Sequence, residues 1–123
     1  MPLLQHDTTL STITLSTGDT DYMVWETFGA TDMSVQLYWV GTGVVSTEVQ
    51  LSNRFDTSAE ATAGWAEATG LAVDAPAGSA ASGGSWQRFE GAVAKRCRVK
   101  FVHNSGSTLN VSAWVVRANP RFP

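Results

Sequence analysis

Reactive and charged side chains are scarce in this chain of 123 residues. It has one cysteine, two histidines and a charged fraction of 15%, against about 25% in an average soluble domain. A single cysteine excludes an intrachain disulfide and a C-x-x-C metal or redox pair. Because binding to a phosphate backbone depends on clustered Lys and Arg, the net charge of −3 argues against a nucleic-acid partner.

Long hydrophobic runs are absent as well. No stretch approaches the roughly 18 consecutive apolar residues that indicate a membrane-spanning helix. The opening MPLLQHDTTL lacks the basic and apolar regions of a secretion signal. We therefore expect no membrane partner, and a chain that is made in a reducing cytoplasm.

Patterns that carry catalysis or bind metals are also missing. His6 and His103 have no second ligand at the spacing that a metal site requires, and no G-x-S-x-G segment marks a nucleophile. The acidic residues are scattered, so nothing in the sequence brings two of them together across a cleft. The prediction is a non-enzymatic protein with no catalytic residues, no cofactor and no bound metal.

The period-two alternation that is typical of β-strands is abundant in this chain. Apolar and polar residues alternate in about seven short segments, which are separated by turn residues such as Gly, Asp, Asn and Ser. This arrangement is typical of an antiparallel β-sandwich or β-barrel. We predict one all-β domain over residues 1–123, jelly-roll-like, with about seven to eight strands and one long Ala/Gly/Ser-rich loop. The predicted strands cover residues 9–17, 22–28, 34–40, 48–52, 86–89, 96–102 and 109–117.

Residues 96–118, RCRVKFVHNSGSTLNVSAWVVRA, carry the clearest pattern. Apolar residues alternate over 97–101 and again over 109–115, with a polar stretch around His103 between them. The sequence predicts a hairpin whose apolar face seals the core. The other face of its first strand is basic, and is interpreted either as a solvated face or as a contact with an acidic partner: Arg96, Arg98 and Lys100.

Three segments without strand alternation are predicted to make the protein's contacts. The long loop contains at most one helical turn, near residues 58–69, and loops of this length are often functional. The ends, residues 1–8 and 118–123, are expected to be extended, with the two prolines of ANPRFP preventing sheet pairing there. A mobile loop and frayed termini are the alternatives. The predicted interface residues are Leu3, Leu4, Trp65, Leu71, Arg121 and Phe122.

Five tryptophans are many for a chain of this length. Trp39 belongs to an alternating apolar face, so we predict it in the core. Trp114 shares a strand face with Asn110 and Ser112, which places it outside the core, where a partner, a sugar or the chain itself covers it. In an alternative function, that of a carbohydrate-binding module, the residues predicted to stack on the ligand are Trp86, Arg88 and Trp114.

Several segments follow one another in a recognisable order: MSVQL (33–37), TEVQLSN (47–53), a loop with a tryptophan, AKRCRVKF (94–101) and STLNVSA (107–113). Their order resembles that of the small β-sandwich domains of tailed-bacteriophage virion proteins, which include capsid decoration (cement) proteins and modules of tail and fibre proteins. The resemblance covers roughly residues 20–118. The chain departs from the family layout in two ways: its Ala-rich loop is longer, and Arg54-Phe55 replaces the usual Asp-Gly turn after Asn53.

The resemblance implies a virion protein, and the small size favours a stand-alone decoration protein over a fibre module. Such proteins bind the outside of an assembled head, often as trimers, and bridge major capsid subunits. The expected partners are therefore the major capsid protein or other virion subunits, together with further copies of this chain. The expected location is the virion, after assembly in the host cytoplasm. A tail- or fibre-associated module remains the alternative.

Overall fold

The computed structural model describes residues 3–27, 30, 32–54, 63–68, 71, 73, 77–78, 82–90 and 94–121. This part of the chain forms antiparallel strands in two sheets and contains no helix. The predicted all-β sandwich is confirmed. The strands are β1 (Leu3–Leu15), β2 (Thr20–Glu26), β3 (Asp32–Val40), β4 (Gly43–Ser52), β5 (Ala66–Glu67), β6 (Ala77–Gly78), β7 (Ser82–Glu90), β8 (Arg96–Gly106) and β9 (Leu109–Arg121).

Long strands that follow one another in the chain alternate between the two sheets. The four-stranded sheet has the order β1-β9-β3-β7, and the five-stranded sheet has the order β2-β8-β4-β5 with β6 also paired to β4. Neighbours within a sheet are therefore distant in sequence. The described residues contain no helix long and apolar enough to cross a membrane.

Each of the seven predicted strand segments overlaps an observed strand, and the observed strands are mostly longer. The two-residue strands β5 and β6 were not predicted, because two residues are too few to display alternation. The helical turn expected near residues 58–69 falls partly outside the described residues. The described portion, 63–68, contains a turn and β5 instead of a helix.

The hydrophobic core lies between the sheets and follows the period-two pattern of the sequence. The predicted inward residues are buried, including Trp39 and the lone cysteine, Cys97. Burial raises the pKa of the Cys97 thiol to about 12, as expected for a sulfur removed from water. Other buried core residues are Leu15, Met23, Trp25, Met33, Val35, Leu37, Val49, Phe89, Val99, Phe101, Leu109, Val111, Ala113 and Val115.

The predicted hairpin over residues 96–118 is wrong, although both of its strands exist. β8 pairs with β2 and β4, whereas β9 pairs with β1 and β3, so the link between them crosses from one sheet to the other. Both strands direct apolar side chains into the same core, so alternation cannot distinguish this arch from a hairpin. Gly106 permits the crossing: its φ is +114°, and a Cβ there would lie 2.5 Å from the Cα of Gly43.

The expectation that the C-terminal prolines prevent sheet pairing is wrong for Pro120, and Pro123 lies outside the described residues. β1 and β9 pair along their full lengths, from Leu15↔Leu109 to Leu3↔Arg121, and Pro120 is opposite Leu4. The β3 ladder on the other side of β9 ends at Asp32↔Ala118. Residue 120 therefore has a strand neighbour on one side only, and such an edge tolerates proline because no donor is needed on the open side.

Candidate functional site

Three neighbouring strands of the four-stranded sheet place two exposed tryptophans in one row. Gln36 on β3 is the register partner of Trp86 on β7 and also of Trp114 on β9. All three side chains lie on the outer face, because their sequence neighbours on these strands point inward. Adjacent strands are spaced by about 4.8 Å, so the two tryptophans stand roughly 10 Å apart across the row with an amide side chain between them.

The exposed large aromatic side chains of the described residues all lie in or beside this row. Trp86 is 58% exposed and Trp114 is 37% exposed, and Tyr38 in the next row is 46% exposed. Single exposed apolar residues are ordinary on protein surfaces, whereas three large aromatic side chains on adjacent strands form a patch of the kind that marks binding sites. We call Gln36, Tyr38, Trp86 and Trp114 the aromatic face.

A shallow groove of about 190 Å³ continues the aromatic face beyond Trp86. Its sides are Trp86 and Val116, and Ser34 lies between their strands. Enclosed ligand pockets typically measure about 300–1,000 Å³. The groove is therefore suited to one ring or side chain at a time and does not enclose a whole ligand.

An ion pair closes the far end of the groove. The Arg88 guanidinium donates two hydrogen bonds to the Asp32 carboxylate, from Nε to Oδ1 at 3.0 Å and from Nη2 to Oδ2 at 2.6 Å. The hydrogen bonds from Arg88 hold the pKa of Asp32 below its usual range, because they stabilise the ionised form. Each carboxylate oxygen keeps a further lone pair that can accept a hydrogen bond from a ligand.

Small polar side chains surround the aromatic face along β1 and β9. The Thr14 hydroxyl donates to Asn110 Oδ1 at 2.8 Å, and the hydroxyls of Thr12 and Ser112 are 3.3 Å apart. These cross-strand pairs hold the side chains in fixed positions. On the side of β1 and β9, the aromatic face is therefore bordered by hydroxyl and amide groups.

The outer face of the five-stranded sheet is different around Arg98, because Trp65 from the long loop lies over it. The guanidinium of Arg98 on β8 lies between two aromatic rings, 4.3 Å from the centroid of Tyr22 and 4.5 Å from that of Trp65. Its Nε donates to Gln50 Oε1 at 2.5 Å. Removal from water lowers the pKa of Arg98, and the aromatic faces compensate by attracting the cation.

This arrangement corrects the interpretation of the basic strand face. Neither a solvated face nor a contact with an acidic partner describes Arg98, which is only 2% exposed and lies beneath the chain's own tryptophan. Arg96 is 5.2 Å from the same Trp65 ring. The alternation located the face correctly, but the segment around Trp65 has no periodicity that would place its ring over Arg98.

The residues predicted at interfaces lie in different places. Trp65 covers Arg98, and Leu71 packs against the core as a partly buried side chain. Leu3, Leu4 and Arg121 belong to the paired ends of β1 and β9. Phe122 lies outside the described residues. The structure thus brings the stacking residues Trp86, Arg88 and Trp114 to one sheet face, away from Trp65 and Leu71.

His103 is buried rather than exposed at a polar tip. Its Nε2 donates to the Ser107 carbonyl at 2.6 Å, and its Nδ1 is buried without a hydrogen-bond partner. The imidazole fills the space above Gly43, where a Cβ would lie 2.8 Å from the ring. Among the described residues, no three His, Cys, Asp or Glu side chains are grouped as metal ligands would be.

Sequence reasoning missed Tyr38, Gln36 and Asp32 as members of the site. The signal for Gln36 and Tyr38 was present, since both alternate with the inward residues of β3. What the sequence does not contain is the register that aligns β3 with β7 and β9.

No protein-family model matches this chain, and no curated protein matches it significantly.

Proposed function

We propose that this chain is a non-enzymatic structural virion protein of a tailed bacteriophage, a capsid decoration (cement) protein. It binds the outside of the head and stabilises it through contacts with the major capsid protein. It assembles as a homo-oligomer, with a trimer favoured, and acts in the virion after assembly in the host cytoplasm.

The observation that carries this proposal is the strand order. A β1-β9-β3-β7 sheet facing a β2-β8-β4-β5 sheet, with successive long strands on alternate sheets, supports a jelly roll. Jelly rolls recur in viral capsid and lectin domains. Because one fold serves many functions, a role in head decoration also requires a surface region that can contact the capsid.

The paired chain ends supply one such contact region. Beyond the Asp32↔Ala118 pair, β1 and β9 continue together to Leu3↔Arg121 without β3 beside them. This two-strand extension brings the predicted interface positions Leu3, Leu4 and Arg121 to a single corner of the sandwich. A stiff body with a projecting corner is suited to many weak contacts made at high copy number, where each bound module increases the effective concentration of the next.

Co-sedimentation tests the proposal. The purified chain is mixed with heads of the phage that encodes it, stripped of this protein, and centrifuged through a sucrose gradient. We expect the chain to sediment with the heads, to increase the temperature at which they release DNA, and to form a trimer rather than a 13.1 kDa monomer in free solution. A chain that stays at the top of the gradient, or that electron microscopy locates on the tail, would contradict a role in head decoration.

A further inference from the structure

We infer that the aromatic face of the four-stranded sheet and its adjoining groove form a carbohydrate-binding site. This goes beyond the proposed function and does not depend on it, since the face itself carries the argument. The ligand class is a glycan chain with at least two adjacent sugar rings, bound across the strands by Trp86 and Trp114.

Ring stacking is the first reason for this assignment. The C–H side of a pyranose ring is apolar with slightly positive hydrogens, which suits the negative face of an indole. Trp86 and Trp114 are both exposed and stand on either side of Gln36. Their separation of roughly 10 Å, two strand spacings, is comparable with the length of a disaccharide.

Hydrogen bonding is the second reason. A sugar ring presents hydroxyls at its edge, and these need donors and acceptors beside each stacking ring. Gln36 offers both between the tryptophans, and the ionised Asp32 offers acceptors at the end of the groove, held there by Arg88. The hydroxyl and amide pairs of β1 and β9 continue this polar surrounding on the other side.

The composition of the surface favours a glycan over an apolar protein partner. The centre of a protein interface is usually a closely packed cluster of apolar residues. Here the aromatic side chains are interrupted by an amide. Val40 and Val116 lie on the same face, but the neighbouring side-chain pairs of β1 and β9 are hydroxyl and amide groups. The sheet backbone also fixes the row in advance, so a ligand loses little affinity to ordering of the protein.

The test is a titration of the full chain with cellohexaose, chitohexaose and mannohexaose, followed by tryptophan fluorescence and calorimetry. We expect at least one hexasaccharide to shift the emission and release heat. Trp86→Ala and Trp114→Ala should each weaken that binding by at least about tenfold, and Gln36→Ala should weaken it less. Because these side chains are exposed, the variants should retain the circular dichroism of the parent.

Trp65→Phe on the opposite sheet is the matched control, since it removes one tryptophan and keeps an aromatic ring over Arg98. It should bind as the parent does. Binding of none of the three hexasaccharides at millimolar concentration, or equal weakening by Trp65→Phe, would overturn the assignment. Co-sedimentation of Trp86→Ala with phage heads is measured in parallel, so that loss of glycan binding with retained head binding separates this inference from the proposed function.

Discussion

The outer faces of the two sheets differ in whether another part of the chain packs over their side chains. On the five-stranded sheet, Trp65 from the long loop lies over Arg98, and the guanidinium is almost completely buried. On the four-stranded sheet, Trp86 and Trp114 remain exposed to solvent. A tryptophan on the first face stabilises the domain, whereas a tryptophan on the second is available to a partner. The number of aromatic residues on a face therefore does not locate a binding site. Their exposure to solvent does.

Removing Arg98 should have the largest effect on stability. We expect Arg98→Ala to lower the free energy of unfolding by about 3 kcal/mol, because the substitution removes two cation–π contacts, a hydrogen bond to Gln50 and the packing of a buried stem. Urea denaturation of the purified variant measures the change. Arg98→Met keeps the stem without the charge and should lose about half as much.

The matched control for this prediction is Arg88→Ala on the exposed face. The Arg88 side chain is 53% exposed, so its ion pair with Asp32 should contribute less than about 1 kcal/mol. Equal losses in the two alanine variants would mean that the loop does not shield Arg98, and the contrast between the faces would then be wrong.

Removing the Trp65 ring that lies over Arg98 should have an intermediate effect on the free energy of unfolding. Trp65→Ala exposes Arg98 and deletes a large contact surface, so we expect a loss of about 1–2 kcal/mol. Besides lowering global stability, the substitution should increase local opening of the backbone near residue 65. Hydrogen exchange at the Ala68 amide, which donates to the Val49 carbonyl at 2.9 Å, should accelerate more than exchange within β9. Uniform acceleration across both sheets would indicate that Trp65 has no local role.

The sequence predicts one face of each strand well and the neighbours of each strand poorly. Trp39, Cys97 and Phe101 are buried as expected, because side chains alternate strictly along a strand. The meeting of Gln36 with Trp86 and Trp114 depends on pairing between distant segments, which alternation does not encode. The same limit explains the mistaken hairpin, since an arch between sheets and a turn within one sheet require the same pattern.

Trp86 should be nearly dispensable for folding. Trp86→Ala should change the free energy of unfolding by no more than about 0.5 kcal/mol, because its side chain is 58% exposed and lies on an edge strand. Trp114 is only 37% exposed and lies on an inner strand, so Trp114→Ala should lose about 1 kcal/mol. Thermal unfolding followed by circular dichroism checks this. A loss above 1.5 kcal/mol for either variant would show that the aromatic face contributes to the stability of the domain and is not a surface reserved for ligand binding.

The smallest expected effect is the pH dependence of the ion pair beside the groove. Because Arg88 lowers the pKa of Asp32, the pair stabilises the folded state above the unfolded carboxyl's pKa of about 3.9 and loses that contribution as the pH falls through the lower folded value. Both side chains are partly exposed, so solvent screening limits the contribution to roughly 0.3 kcal/mol.

Asp32→Asn tests this directly in paired urea titrations. At pH 7 the variant should be slightly less stable than the parent, and the difference should disappear at a pH below both carboxyl pKa values and shrink at high salt. A difference that persists at low pH would mean that Asp32 contributes by its shape or hydrogen bonding rather than by its charge. In that case the hydrogen-bond geometry with Arg88, rather than the charge of Asp32, holds the side chain beside the groove.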